Sequence, residues 1–231
     1  MCLDIFPASI NLLMGPNGSG KSTLVNCISG IYTPEQGKIF LEGVDITGKA
    51  PHEIVRLGIG RTFQIPAPFN ALTVADNLLV CGHSNQGERF GTALVKNTWQ
   101  EYEKSLVDEM LSILQVVGLE DKCDARAGEL SGGQLKLLEL GRLLMLGVKV
   151  MVVDEPVGGV NPLLAHEILS HIKNVRDKLG ITCLMVEHRL DIVMRYVDYV
   201  WVLAGGRVLC SGTPGEVVKT KELYEVYLTK G

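Results

Sequence analysis

The run GPNGSGKS at 15–22 sets Gly15, Gly18 and Gly20 ahead of Lys21 and Ser22. Glycine lacks Cβ, so such a loop folds tightly and turns several N–H donors toward one anion. The G-x-x-x-x-G-K-S spacing predicts a cradle for the phosphates of a nucleoside triphosphate. Lys21 is placed to reach the β- and γ-phosphates, and the Ser22 hydroxyl to ligate Mg²⁺. Gly15, Pro16, Asn17, Gly18, Ser19, Gly20, Lys21, Ser22 and Thr23 form the candidate nucleotide-binding set.

Two further groups could act on a bound nucleotide. Asp154 and Glu155 close the apolar run VMVVDE. In an open α/β sheet, ligands sit at the carboxyl ends of the strands. An acid there can hold Mg²⁺, which is the expected role of Asp154. A second acid one residue on points elsewhere and can orient or deprotonate an attacking water, the expected role of Glu155. Ser131, Gly132, Gly133 and Gln134 open a second glycine-rich helix start, another anion site by helix-dipole logic. Two phosphate-binding features with one lysine-bearing loop suggest a head-to-tail dimer, one subunit's second site closing over the other's nucleotide.

These groups need elements to hold them. Ile10, Leu12, Leu13 and Met14 predict a buried strand before the loop. Leu24, Val25 and Ile28 predict a helix after it, stopping near Gly30, so the helix N-terminus faces the anion. Residues 37–47 read as a hairpin turning at Glu42-Gly43, 52–57 as a short helix and 61–65 as a strand. Residues 84–92 read as a loop. Tyr102, Leu106, Met110, Ile113, Leu114 and Val117 mark one helix face, ended by Gly118. Then come helix 134–146, strand 149–153, helix 163–179, strand 181–186, helix 188–196 and strands 199–203 and 207–211. Thr213-Pro214-Gly215-Glu216 is a capping box opening a last helix. The alternation predicts an α/β fold with a largely parallel sheet covered on both faces. The helical stretch from about 74 to 128 suggests a separate lobe.

Composition sets limits. The 231 residues are 46% apolar, enough for a substantial core. A net charge of −4 gives no electrostatic case for a nucleic-acid partner. No run approaches the roughly 18 apolar residues of a membrane span, and MCLDIFPASIN lacks the features of a signal peptide. Cys2, Cys27, Cys81, Cys123, Cys183 and Cys210 are scattered without metal-site spacing, and read as reduced, mostly buried residues of a cytosolic protein.

LSGGQ at 130–134, with GPNGSGKS before it and VMVVDEP after it, resembles the ATP-binding subunits of ABC transporters over nearly the whole chain. The resemblance implies a single P-loop NTPase domain over 1–231, of ABC ATPase type. It implies an antiparallel β region and a helical subdomain at about 72–135 inserted in the core. It makes Gln64 the glutamine that contacts Mg²⁺ and the attacking water and senses the membrane partner. It makes His188 the histidine that contacts the γ-phosphate, and Val157–Pro162 a loop that crosses the dimer interface. Integral membrane permease subunits, a homodimer or a heterodimer with a sister ATP-binding subunit, and a place on the cytoplasmic face of the cell membrane follow as expectations. Soluble ABC-type ATPases of cofactor assembly and non-hydrolysing ATP-binding regulators are the alternatives. Intact Glu155 and His188 argue against the second.

RLGIGRTFQ, LTVADNLLV and VEHRLDIVMRYVDYVWVLAGGRVLCSGTPGEV look most like the ATP-binding subunits of branched-chain amino acid importers. Two departures stand out. Asn161 replaces the usual aspartate of the interface loop. The family carries two strands and an adenine-stacking aromatic before the phosphate loop, whereas only 14 residues precede Gly15. Phe6 stands at the wrong point to replace that aromatic. Either the start site is set too late or ATP is held more weakly than in relatives, and adding upstream coding sequence is expected to tighten binding.

Overall fold

The computed structural model describes residues 1–62, 66–82, 96–221 and 223, with backbone alone at 96–100. The chain divides into two compact units, Met1–Gln64 with Lys149–Gly231, and Ile65–Val148.

The first unit is built on a six-stranded sheet in the order β4-β5-β6-β1-β7-β8. Its strands are β1 Ile10–Met14, β4 Ile59–Arg61, β5 Val150–Asp154, β6 Thr182–Val186, β7 Tyr199–Ala204 and β8 Arg207–Gly212. Every neighbouring pair is parallel except β7 with β8. The sequence shows why. β1 and β6 are buried at every position, as befits strands covered on both faces. β8 alternates exposed and half-buried residues along most of its length, as an antiparallel edge strand can. Asn11, polar yet fully buried in β1, stays satisfied. Its side-chain oxygen accepts from the Phe6 N–H, and its amide donates to the Ser9 hydroxyl at 2.9 Å.

Helix α1 (Lys21–Ile28) follows β1, and α2 (Pro51–Arg56) precedes β4. Between them β2 (Phe40–Leu41) and β3 (Val44–Asp45) form the expected hairpin, turning at Glu42-Gly43 with both residues at positive φ. Leu13, Val25, Ile46, Ile54, Ile59, Val152, Leu184, Val186, Trp201 and Leu203 form one buried cluster. Each large side chain there contributes about 1.5–3 kcal/mol by leaving water. The cluster joins α1, α2 and the segment after the hairpin to the strands that carry the chemistry.

Two elements differ from expectation. The strand expected at 61–65 lies at Ile59–Arg61, with 63–65 outside the described residues. The helix expected at 188–196 is reduced to α7, Leu190–Val193. Arg189 stands outside the helical region at ψ +72, and the N–H groups of His188 and Arg189 go to the Glu187 carboxylate, 2.9 and 3.3 Å away. Helix α6 (Pro162–Leu179) ends at Gly180 with φ +65, and α8 (Pro214–Val217) opens with the Thr213–Glu216 capping box.

The second unit is helical: α3 (Val74–Leu79), α4 (Lys96–Val117) and α5 (Gly132–Met145), with 3-10 turns at Glu120–Lys122 and Ala127–Glu129. Met110, Ile113, Leu114 and Val117 of α4 are buried, as are Leu137, Leu138, Leu140 and Leu144 of α5. α3 and α4 approach α5 closely at Gly141. A Cβ there would stand 3.0 Å from Leu78 and 3.5 Å from Ile113. The expected loop at 84–92 lies outside the described residues. Of the six cysteines, Cys183 is buried, Cys2 is exposed and the other four are half-buried, so burial is less general than the composition suggested.

Candidate active site

The loop between β1 and α1 follows the carboxyl end of a central strand. Gly15, Gly18 and Gly20 have φ of +150, +77 and +101. Gly15 is also sterically fixed, because a Cβ would run into the Leu203 carbonyl of β7 and stand 2.9 Å from the Ser19 hydroxyl. Lys21 donates from Nζ to the carbonyls of Gly15 (2.8 Å) and Pro16 (3.0 Å), so its ammonium is already gathered into the loop. Burial pushes the Lys21 pKa down from its usual 10.5, while the charges of Glu155 and Asp154 pull it up. The lysine therefore shares its field with both strand-end acids. Asn17, Gly18, Ser22 and Thr23 are exposed.

Asp154 ends β5 and Glu155 follows it, two strands from β1 with β6 between. Asp154 Oδ2 lies 2.8 Å from Arg61 Nη2, and the other end of that guanidinium donates to Asn26 Oδ1 of α1 at 2.6 Å. Glu155 sits at φ +49, a strained conformation for a residue with a Cβ. It is held there by its N–H to the Val186 carbonyl (2.9 Å) and by its own carbonyl accepting from Gly158 (3.1 Å).

His188 follows β6. Its Nδ1 is 3.7 Å from Glu155 Oε1 and 3.9 Å from Glu187 Oε2, so the imidazole lies between two carboxylates. Asn161 caps α6, its side-chain oxygen accepting from the Leu164 N–H at 2.9 Å, with Pro162 at the first helical position. Asparagine fills that capping role as well as aspartate would.

Lys21, Asp154, Glu155 and His188 thus belong to one unit and one edge of its sheet. Ser131, Gly132, Gly133 and Gln134 lie in the other unit. There Ser131 caps α5, its hydroxyl accepting from the Gln134 N–H (3.3 Å), while the Gln134 side chain accepts from the Ser131 N–H (2.9 Å). Gln64 lies outside the described residues. Phe6 stacks edge-on against Tyr199 at 4.7 Å, at the amino end of β1 and β7, whereas the phosphate loop follows the carboxyl end of β1.

Sequence reasoning missed Arg61 and Glu187. Arg61 is the cation that closes β4, and Glu187 follows β6 just as Glu155 follows β5. The strand-end logic that selected Asp154 and Glu155 applies equally to Glu187. Among the described residues, no helix is long and apolar enough to cross a membrane.

The family described as ABC transporter matches residues 1–158. The chain is 46% identical to a probable branched-chain amino acid transport ATP-binding protein of Archaeoglobus fulgidus, over 95% of this chain and 84% of that one. It is 31% identical to a high-affinity branched-chain amino acid transport ATP-binding protein of Escherichia coli, over 98% and 89%. Among solved structures, the ADP conformation of an ATP-binding cassette of an ABC transporter superposes with a TM-score of 0.83 at 40% identity, over 99% of this chain and 91% of that one.

Proposed function

The chain belongs to the ABC transporter family, and from that premise we propose that it is the ATPase subunit of an importer of branched-chain amino acids. ATP binding and ATPase activity follow from the family. The cargo rests on the names of the Archaeoglobus and Escherichia relatives. The partners are integral membrane permease subunits, on whose cytoplasmic face the chain sits, and a second ATP-binding subunit, either a copy of itself or a sister chain.

In this reading the loop amides and Lys21 hold the phosphates. Glu155 orients and deprotonates the attacking water, and His188 contacts the γ-phosphate, with Gln64 beside the water. Ser131, Gly132, Gly133 and Gln134 of one subunit complete the site on the other. Loss of the γ-phosphate then releases the dimer, and its opening is passed to the permease. The catalytic work is mostly positioning and electrostatics. Mg²⁺ fits the donors present, since it takes oxygen ligands and keeps several waters. The Ser22 hydroxyl, the Asp154 carboxylate and Gln64 would hold it, and it would neutralise charge developing between the β- and γ-phosphates.

The observation that carries the reading is the placement of Glu155. It stands strained at the end of β5, 3.7 Å from His188 and within the field of Lys21. Glu155→Gln is expected to bind ATP as the parent does and to lower turnover by about 100- to 10,000-fold, the usual range for loss of a general base. Unchanged turnover would remove Glu155 from that role. Uptake of labelled leucine by vesicles holding the assembled transporter tests the cargo.

A further inference from the structure

We propose that Glu187 is a positioning residue that sets the separation of Glu155 and His188. It does so by fastening the segment after β5 to the segment after β6. The inference rests on the roles given above to those two residues.

Glu187 is completely buried. A buried carboxylate is costly unless its lone pairs are met by good donors. Here they are met from two directions. Oε1 accepts the Val157 N–H at 2.9 Å, two residues beyond Glu155. Oε2 accepts the N–H groups of His188 at 2.9 Å and Arg189 at 3.3 Å. One oxygen therefore serves each segment, and charge-assisted bonds of this kind are short and strong. Two more ties run in parallel. The Glu155 N–H reaches the Val186 carbonyl at 2.9 Å, and Arg189 Nη1 donates to the Val160 carbonyl at 3.0 Å. The strained backbone of Glu155 persists only where its surroundings over-determine it. The Glu187 bond to Val157 supplies that restraint on one side, and the bond from the His188 N–H fixes the backbone that carries the imidazole on the other. Through Arg189 the same latch extends to the residue before Asn161.

Glutamine has the shape of glutamate but only one acceptor oxygen, so Glu187→Gln must release one of the two segments. Using the full chain, alone and assembled with its membrane partner, three readouts apply. Turnover is expected to fall at least tenfold, with ATP affinity within twofold of the parent, because Glu187 holds neither Lys21 nor the phosphate loop. Amide hydrogen exchange at one of the pair Val157 and His188, whichever segment is released, is expected to speed up at least tenfold, while Leu13 of β1 stays unchanged. Arg189→Met, which cuts the outer tie and leaves the carboxylate in place, is expected to lower turnover several-fold at unchanged ATP affinity. Turnover within twofold of the parent in a folded Glu187→Gln protein overturns the inference. If that variant does not fold, parental turnover in Arg189→Met does the same. Glu155→Gln is measured alongside. If it keeps its turnover, the reading of the site fails; if it loses turnover and the Glu187 variant does not, only the latch fails.

Discussion

Arg61 and Asp154 form an ion pair at 2.8 Å in which both side chains are largely buried. The same guanidinium holds Asn26, so α1, β4 and β5 meet at one cation. Removing one partner of a buried pair leaves an uncompensated charge. Arg61→Ala is therefore expected to cost about 3 kcal/mol in urea denaturation. Arg61→Lys keeps the charge but lacks the planar fork that spans Asn26 and Asp154. It is expected to fall between the parent and the alanine variant.

Ser131 caps α5, and the proposed function gives it a second role that can be separated from the first. As the cap of α5 it satisfies the Gln134 N–H, and Ser131→Ala is expected to cost about 1 kcal/mol of stability for that reason. Thr73, whose hydroxyl caps α3 by accepting from the Asp76 N–H at 3.0 Å, serves as the control. Thr73→Ala is expected to lose similar stability while leaving turnover alone. A fall in turnover specific to Ser131→Ala, measured where both proteins are fully folded, marks the contact with nucleotide across the dimer.

Burial in β6 pushes the Cys183 thiol up to about 12 from its ordinary 9.0. The folded chain thus keeps this proton when the unfolded chain has lost it. Its contribution to stability is complete below pH 9 and is lost as pH rises from 9 toward 12. Cys183→Ala should flatten this part of the stability profile relative to the parent. In the native protein at pH 8.5, iodoacetamide is expected to label the exposed Cys2 and to spare Cys183.

The phosphate loop was legible because its function is local. Glycines, lysine and serine at fixed spacing make a cradle from adjacent residues, and the apolar runs on either side declare a strand and a helix. The alternation of Ile168, Ile172 and Val175 with polar residues in α6, and the mainly apolar runs of β1 and β6, likewise carried the α/β architecture. Burial acts on each segment's own periodicity, so the sequence alone could name the elements and the acids at their ends.

Relations between segments far apart in the chain were decided by tertiary structure alone. No spacing relates Arg61 to Asp154, 93 residues away, or Val157 to Glu187, 30 residues away. Those pairs exist because β4, β5 and β6 lie side by side in register, which depends on packing across the whole sheet. The loss of 188 and 189 from α7 has the same origin. A helical pattern includes them, but Arg189 stands at ψ +72, outside the helical region, with both N–H groups on the buried Glu187 carboxylate. A charge that has left water must find donors before local propensity is served, and only the folded chain shows which donors it finds.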